Sequence, residues 1–161
     1  KTMPIDTASL ATLGGSIALA GGLAGSSLGI AVSGAAGAAM LGQDPRQLRN
    51  VIILAALPMS RAFYAFIFLI LIVTTCIPAL SAMPDPSGAG FAVFGIGLMA
   101  ATAFGVSGAY QGSVCAAGIC GLSKTMGRNL TNAIMLAVFV ELLAVLGLVF
   151  SIMALSMLGL M

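Results

Sequence analysis

Charge is what this chain has least of. Its 161 residues include 6 lysines and arginines, 4 aspartates and glutamates, no histidine and no tryptophan, against a hydrophobic content of 60% and a mean hydropathy of +1.18. A soluble domain normally carries about a quarter charged residues, so a water-facing surface cannot be assembled from this inventory. The chain reads as an integral membrane protein. The three cysteines, Cys76, Cys115 and Cys120, all lie in apolar stretches. An odd number without C-x-x-C spacing excludes a disulfide framework and a zinc site, and leaves them as small packing residues. No nucleotide-binding loop and no catalytic constellation is present, so no cofactor and no nucleic acid partner is expected.

What the chain does have is length without charge. Charge-free stretches run from Thr7 to Gln43, Ala62 to Pro84, Pro86 to Ser123 and Leu142 to Met161. A helical span needs roughly 20 apolar residues, so four spans are predicted, at about 9–41, 50–80, 89–123 and 129–159. Two of them are interrupted by a single ionisable side chain, Arg61 in the second and Glu141 in the fourth. "GQDPRQ" (42–47), "MPDPSGAG" (83–90) and "KTMGRN" (124–129) supply the breaks between spans. The apolar run after Lys1 is too long for the core of a signal peptide and is read as the first membrane helix. Asp44, Arg46 and Arg49 cluster between spans one and two, Lys124 and Arg128 between spans three and four, while Lys1, Asp6 and Asp85 lie on the other side. The positive-inside tendency places both basic loops in the cytoplasm and both termini outside.

The two halves repeat. "LGIAVSG" (28–34) matches "QGSVCAA" (111–117) at an offset of 83, and "RNVIILA" (49–55) matches "TNAIMLA" (131–137) at an offset of 82. Both halves run outside–in–outside, so the organisation is a parallel duplication: a first hairpin over 1–82, a connector over 83–90 and a second hairpin over 91–161. Units of this kind invite side-by-side packing around an axis. The first helix of each hairpin carries small residues at every fourth position: Gly21, Gly25, Gly29, Ser33 and Gly37, then Gly97, Ala101, Gly105, Ala109, Ser113, Ala117 and Gly121. Such stripes let helix backbones approach closely in lipid, and predict a tight inner layer shared by many copies. The second helices, with Phe63, Tyr64, Phe66, Phe68, Phe139, Leu142 and Phe150, are predicted to form the lipid-facing layer.

Polar residues share one depth. Glu141 lies thirteen residues after Arg128 and Gln111 thirteen before Lys124, while Ser60 and Arg61 lie eleven and twelve after Arg49. At about 1.5 Å per residue, all four sit near the membrane centre. An intramembrane carboxylate costs about 2.5 kcal/mol or more and marks ion pathways. Burial disfavours its charged form, so it can hold a proton, while neighbouring oxygens can instead coordinate sodium. Gln111 is either a helix–helix hydrogen bond or a partner of that carboxylate. Pro58 removes the donor for the Leu54 carbonyl and so bends the helix beside Ser60. Tyr64 either donates its hydroxyl to Glu141 or simply packs. At an offset of 82 the first hairpin has Met59 in place of Glu141.

Those features, with "LPMSRAFYAF" (57–66), "AYQGSVCAAGI" (109–119) and "VELLAVLGLV" (140–149), resemble the proteolipids (K- or c-type) of prokaryotic V/A-type rotary ATPases from end to end. The resemblance implies an all-α membrane protein of four transmembrane helices in two tandem hairpins that assembles into a rotor ring in a prokaryotic cell membrane. It implies Glu141 as the carrier of H+ or Na+, with Leu57 offering its carbonyl, Ser60 its hydroxyl, Gln111 its amide oxygen, and Tyr64 a hydrogen bond to Glu141. The same set, Glu141, Gln111, Ser60 and Leu57, would be the metal ligands if sodium is carried. Implied partners are further copies of the chain, a stator membrane subunit with an essential arginine, a central-stalk subunit on the cytoplasmic loops, and lipid; ATP chemistry would belong to partner subunits.

Arg61 departs from the pattern, because sodium-type members read Leu-Pro-Gly-Thr-Gln there and a guanidinium has no lone pair to give a cation. Facing Glu141, it would hold the carboxylate ionised and repel sodium, favouring protons; the alternative is that it turns away toward a cavity, water or headgroups. The rival reading is a small four-helix proton-coupled multidrug antiporter, which would be expected to carry its carboxylate nearer the first span, among aromatic contacts. A structural membrane protein without transport leaves the cost of Glu141 unexplained.

Overall fold

The structure, a computed structural model, describes residues 6–161, the side chain of Ser87 excepted; Lys1 lies outside the described residues. Four helices long and apolar enough to cross a membrane make up the fold: α1 (Thr7–Gln43), α2 (Pro45–Ala82), α3 (Ser87–Cys120) and α4 (Leu130–Met157). No strand occurs among the described residues, and the all-α membrane fold is the one expected. Asp6 starts α1 as an N-cap, its carboxylate accepting from the Ser9 hydroxyl at 3.0 Å and the Ala8 amide at 3.4 Å. The third span ends at Cys120, three residues short of the predicted limit, with 121–129 forming a turn. There Met126 (φ 50) and Gly127 (φ 80) adopt left-handed backbone, and the Gly127 amide bonds the Leu122 carbonyl at 2.9 Å.

The small-residue stripes meet each other within one chain. A side chain on Gly21 would press its first carbon to 2.6 Å from the Ala101 carbonyl oxygen, and one on Gly25 would collide with Gly105. Further along, Gly29 faces Gly108 and Gly112. A period of four runs ahead of the helical turn of 3.6 residues, so the α3 stripe winds off this seam: Ser113 and Ala117 are exposed in the single chain, and Gly108 and Gly112 meet α1 instead. Within one chain the seam therefore follows the α3 stripe to Gly105 and passes to Gly108 and Gly112 beyond it. Backbones this close gain dispersion contacts that branched side chains would prevent.

α2 packs on α1 and α4 on α3, with α1–α3 at the centre. Along α2, Arg61, Ala65, Phe68, Ile72, Cys76 and Leu80 face inward, at spacings of three to four. Phe63 and Phe66 face out, as do Phe139, Leu142 and Phe150 on α4. Phe68 corrects the lipid-facing expectation, since it is buried in the core on the same face as Arg61, and Tyr64 is half-buried against Phe104. Cys76 and Cys115 are buried packing residues, but Cys120 is exposed at the end of α3, which corrects its reading as a packing residue.

Buried apolar side chains form two clusters. One contains Met40, Leu54, Cys115, Ile119 and Ala137; the other contains Ala18, Phe68, Ile72, Phe104 and Ala144. Between them, on all four helices, lies a layer of buried polar residues: Ser26, Arg61, Ser107 and Gln111, with Glu141 beside them. The turn after α1 and the turn before α4 sit at one end of the bundle, where Gly127 abuts Asn50 and Gln47; Thr7 and Gly90 abut at the other.

The seam is testable with two alanines. Gly25→Ala drives a methyl into the Gly105 backbone and is expected to cost about 1–3 kcal/mol, as overpacked cores do. Gly42→Ala, which meets nothing within 4 Å, serves as the control. Thermal unfolding in detergent should fall for the first and hold for the second; equal melting would mean the helices do not approach as closely as described.

Candidate functional site

The geometry of the polar layer starts at Pro58. Proline has no amide hydrogen, and the chain around it tightens into a 3-10 turn, Leu57–Met59, inside α2. One turn on, the hydroxyl of Ser26 enters the helical ladder: it donates to the Pro58 carbonyl at 2.9 Å and accepts from the Ala62 amide at 3.0 Å. Those two groups are the i and i+4 partners that an uninterrupted helix would bond directly. A hydroxyl inserted in this way is a recognised cause of local helix distortion. The irregular stretch brings Ser60, Arg61 and Tyr64 toward α3 and α4.

Four side chains converge on Glu141. Tyr64 donates its hydroxyl to Oε1 at 2.7 Å. Oε2 receives the Gln111 amide at 2.9 Å, the Ser60 hydroxyl at 3.2 Å and the Arg61 guanidinium, whose Nη1 lies 2.6 Å away as an ion pair. Tyr64, Ser60 and Arg61 come from α2, Gln111 from α3 and Glu141 from α4. The site is thus built within one chain. A carboxylate offers about four acceptor positions, and four donors reach them here.

Arg61 points inward, which decides between the two orientations open at the sequence level. Its side chain is 0% exposed, against 22% for Glu141. Nη1 also donates to the Ser60 hydroxyl at 2.7 Å, and Nε donates to the Ser107 hydroxyl at 3.0 Å. Room for it comes from two glycines: a side chain on Gly108 would touch the Arg61 stem at 3.0 Å, and one on Gly22 would meet the Arg61 carbonyl at 2.8 Å. Removing one partner of a buried ion pair costs about 3–5 kcal/mol because the other charge is left uncompensated.

Each residue singled out from the sequence has a place in this cluster. Leu57 is one step removed, its carbonyl accepting from the Ser60 hydroxyl at 3.1 Å. Ser60 has a single hydrogen, which the Leu57 carbonyl and Glu141 share. Gln111 bridges Glu141 and the Ala137 carbonyl, to which its amide nitrogen lies 3.1 Å away. Sequence reasoning missed Ser26, Ser107 and the glycine pair. Ser107 lies one turn before Gln111 on the same helix face, and that i, i+4 relation was the available signal; Ser26 gave none beyond being polar beside a glycine of the stripe. The duplication offers a contrast. The positions that the two offsets equate with Gln111, Glu141, Ser60, Arg61 and Tyr64 are Leu28, Met59, Leu142, Leu143 and Leu146. All five are apolar and exposed, so this polar cluster has no counterpart at the equivalent positions.

Comparison with known proteins gives matching results. The family model for the C subunit of ATP synthase matches twice, over residues 13–72 and 94–154. The chain is 29% identical over 154 residues to the A-type ATP synthase subunit K of Methanocaldococcus jannaschii, covering 94% of this chain and 64% of that one, so it spans a little under two thirds of that relative's length. It is 33% identical over 127 residues to the V-type sodium ATPase subunit K of Enterococcus hirae, covering 79% and 78% respectively.

Ser26→Ala deprives the buried Pro58 carbonyl and Ala62 amide of their shared partner, and should cost about 1–3 kcal/mol. Denaturant unfolding of the detergent-solubilised chain measures it. An unchanged midpoint would show that the ladder of α2 closes by itself.

Proposed function

The chain belongs to the family of ATP synthase C subunits, and from that premise we propose that it is the ion-carrying proteolipid of a V/A-type rotary ATPase, with Glu141 as the carrier. One observation carries the reading: the single acidic side chain within the four spans is met at mid-depth by polar groups from two other helices. A polar cluster in hydrocarbon costs too much to be retained for packing alone. In this reading the carried cation is H+ or Na+. Copies of the chain form a ring, and Glu141 loads through one half-channel and unloads through another past a stator arginine. Tyr64, Ser60 and Gln111 orient the carboxylate, and Leu57 lies behind Ser60.

The two hairpins, 1–82 and 91–161, act as one unit with one carrier, since the first hairpin has Met59 at the equivalent position. The end bearing Arg46, Arg49, Lys124 and Arg128 faces the cytoplasm of a prokaryotic cell and meets the central stalk, with both termini outside. The paired small-residue seams of α1 and α3 support a close inner layer. The antiporter reading fits less well: the carboxylate is on the last span, and the first is a glycine-lined packing helix.

Glu141→Gln keeps the shape, removes the charge and turns one of the two acceptor oxygens into a donor. It is expected to abolish ion transport and uncouple or stop ATP hydrolysis in the assembled complex. Retained ion-coupled hydrolysis would refute the carrier role.

A further inference from the structure

Resting on Glu141 as the carrier, we propose that Arg61 is a tethered counter-cation, anchored by Ser107, that occupies the cation's place beside Glu141 and makes the site select protons over sodium. A sodium ion needs several oxygen lone pairs converging on one point. Here Oε2 of Glu141, the Ser60 hydroxyl oxygen and the Leu57 carbonyl already accept hydrogen bonds. Oε2 of Glu141 receives three donors, including Nη1 of Arg61 at 2.6 Å. The Ser60 hydroxyl oxygen accepts from Nη1 at 2.7 Å. The Leu57 carbonyl accepts the Ser60 amide hydrogen and shares the single Ser60 hydroxyl hydrogen with Glu141.

Gln111 presents its nitrogen, not its oxygen, to the carboxylate. The reversed amide would set an oxygen against both Oε2 and the Ala137 carbonyl, so the hydrogen-bond pattern selects this orientation. Its Oε1 is buried without a hydrogen-bond partner. The groups that meet the carboxylate are all donors, which suits an anion and leaves a metal cation few free lone pairs. A proton makes a lesser demand, a bond to one carboxylate oxygen.

The guanidinium is also held where it is. Nε is fixed by the Ser107 hydroxyl, which in turn donates to the Phe104 carbonyl at 3.2 Å, and the stem is seated in the gap at Gly108. The ion pair leaves the site neutral with nothing bound. Adding either cation beside the guanidinium leaves one net positive charge, so the selection between them rests on lone pairs: sodium needs several and a proton needs one.

The test is binding of radioactive sodium to the purified, assembled protein in detergent, with potassium balancing ionic strength, for the native chain, Arg61→Gln, Ser107→Ala and Glu141→Gln. The native protein is expected to show no saturable sodium binding. Arg61→Gln should bind sodium saturably, at least about tenfold more tightly than native, a difference of about 1.4 kcal/mol. Ser107→Ala, which keeps the charge and loosens only its anchor, should fall between. Saturable sodium binding by the native chain that Glu141→Gln removes overturns the proposal, as does an Arg61→Gln protein of normal assembled mass that binds no more sodium than native. Either result leaves the carrier role of Glu141 standing, because that role is decided by coupling in Glu141→Gln.

Discussion

A carboxylate set among apolar helices finds little water to satisfy it, so the protein must supply its partners. That constraint organises the centre of this bundle. Glu141 takes donors from Tyr64, Ser60, Gln111 and Arg61, and those donors require three helices to hold their depth and rotation to within a hydrogen-bond length. The two apolar clusters above and below serve this end: they fix the helices on both sides of the polar layer and keep it from sliding.

The glycine seams belong to the same problem. Arg61 is a large side chain, and it is wholly buried in a narrow four-helix bundle. It fits because its helix lies directly against α1 at Gly22 and its stem runs across α3 at Gly108. Small residues thus do two things, bringing α1 and α3 backbones together and leaving a slot for the guanidinium. The Ser26 hydroxyl completes the arrangement by entering the ladder of α2 beside Arg61, where Pro58 has already removed one donor. Packing and site cannot be separated here, since the same helix approach that stabilises the bundle in lipid aims the arginine at the carboxylate.

Much of this was legible in one dimension. Counting residues from the basic loops put Glu141, Gln111, Ser60 and Arg61 at a common depth, and helical rise is regular enough for such counting to hold across a membrane. What counting could not supply was rotation about each helix axis. Phe68 was expected to face lipid and is buried. Ser107 went unnoticed although it lies one turn before Gln111, and Ser26 because a serine beside the glycine stripe has no pattern that marks a partner on another helix.

By itself the sequence determined the class, the number of spans, the duplication and the common level of the polar groups, because charge scarcity and a fixed rise per residue leave few alternatives for long apolar helices. Only the tertiary structure decided which way Arg61 turns and which atom of Gln111 meets the carboxylate. Both depend on how the helices are rotated against one another, through steric gaps at Gly22 and Gly108 and the placement of the Ala137 carbonyl. Those are relations between residues far apart in the chain, and packing alone brings them together.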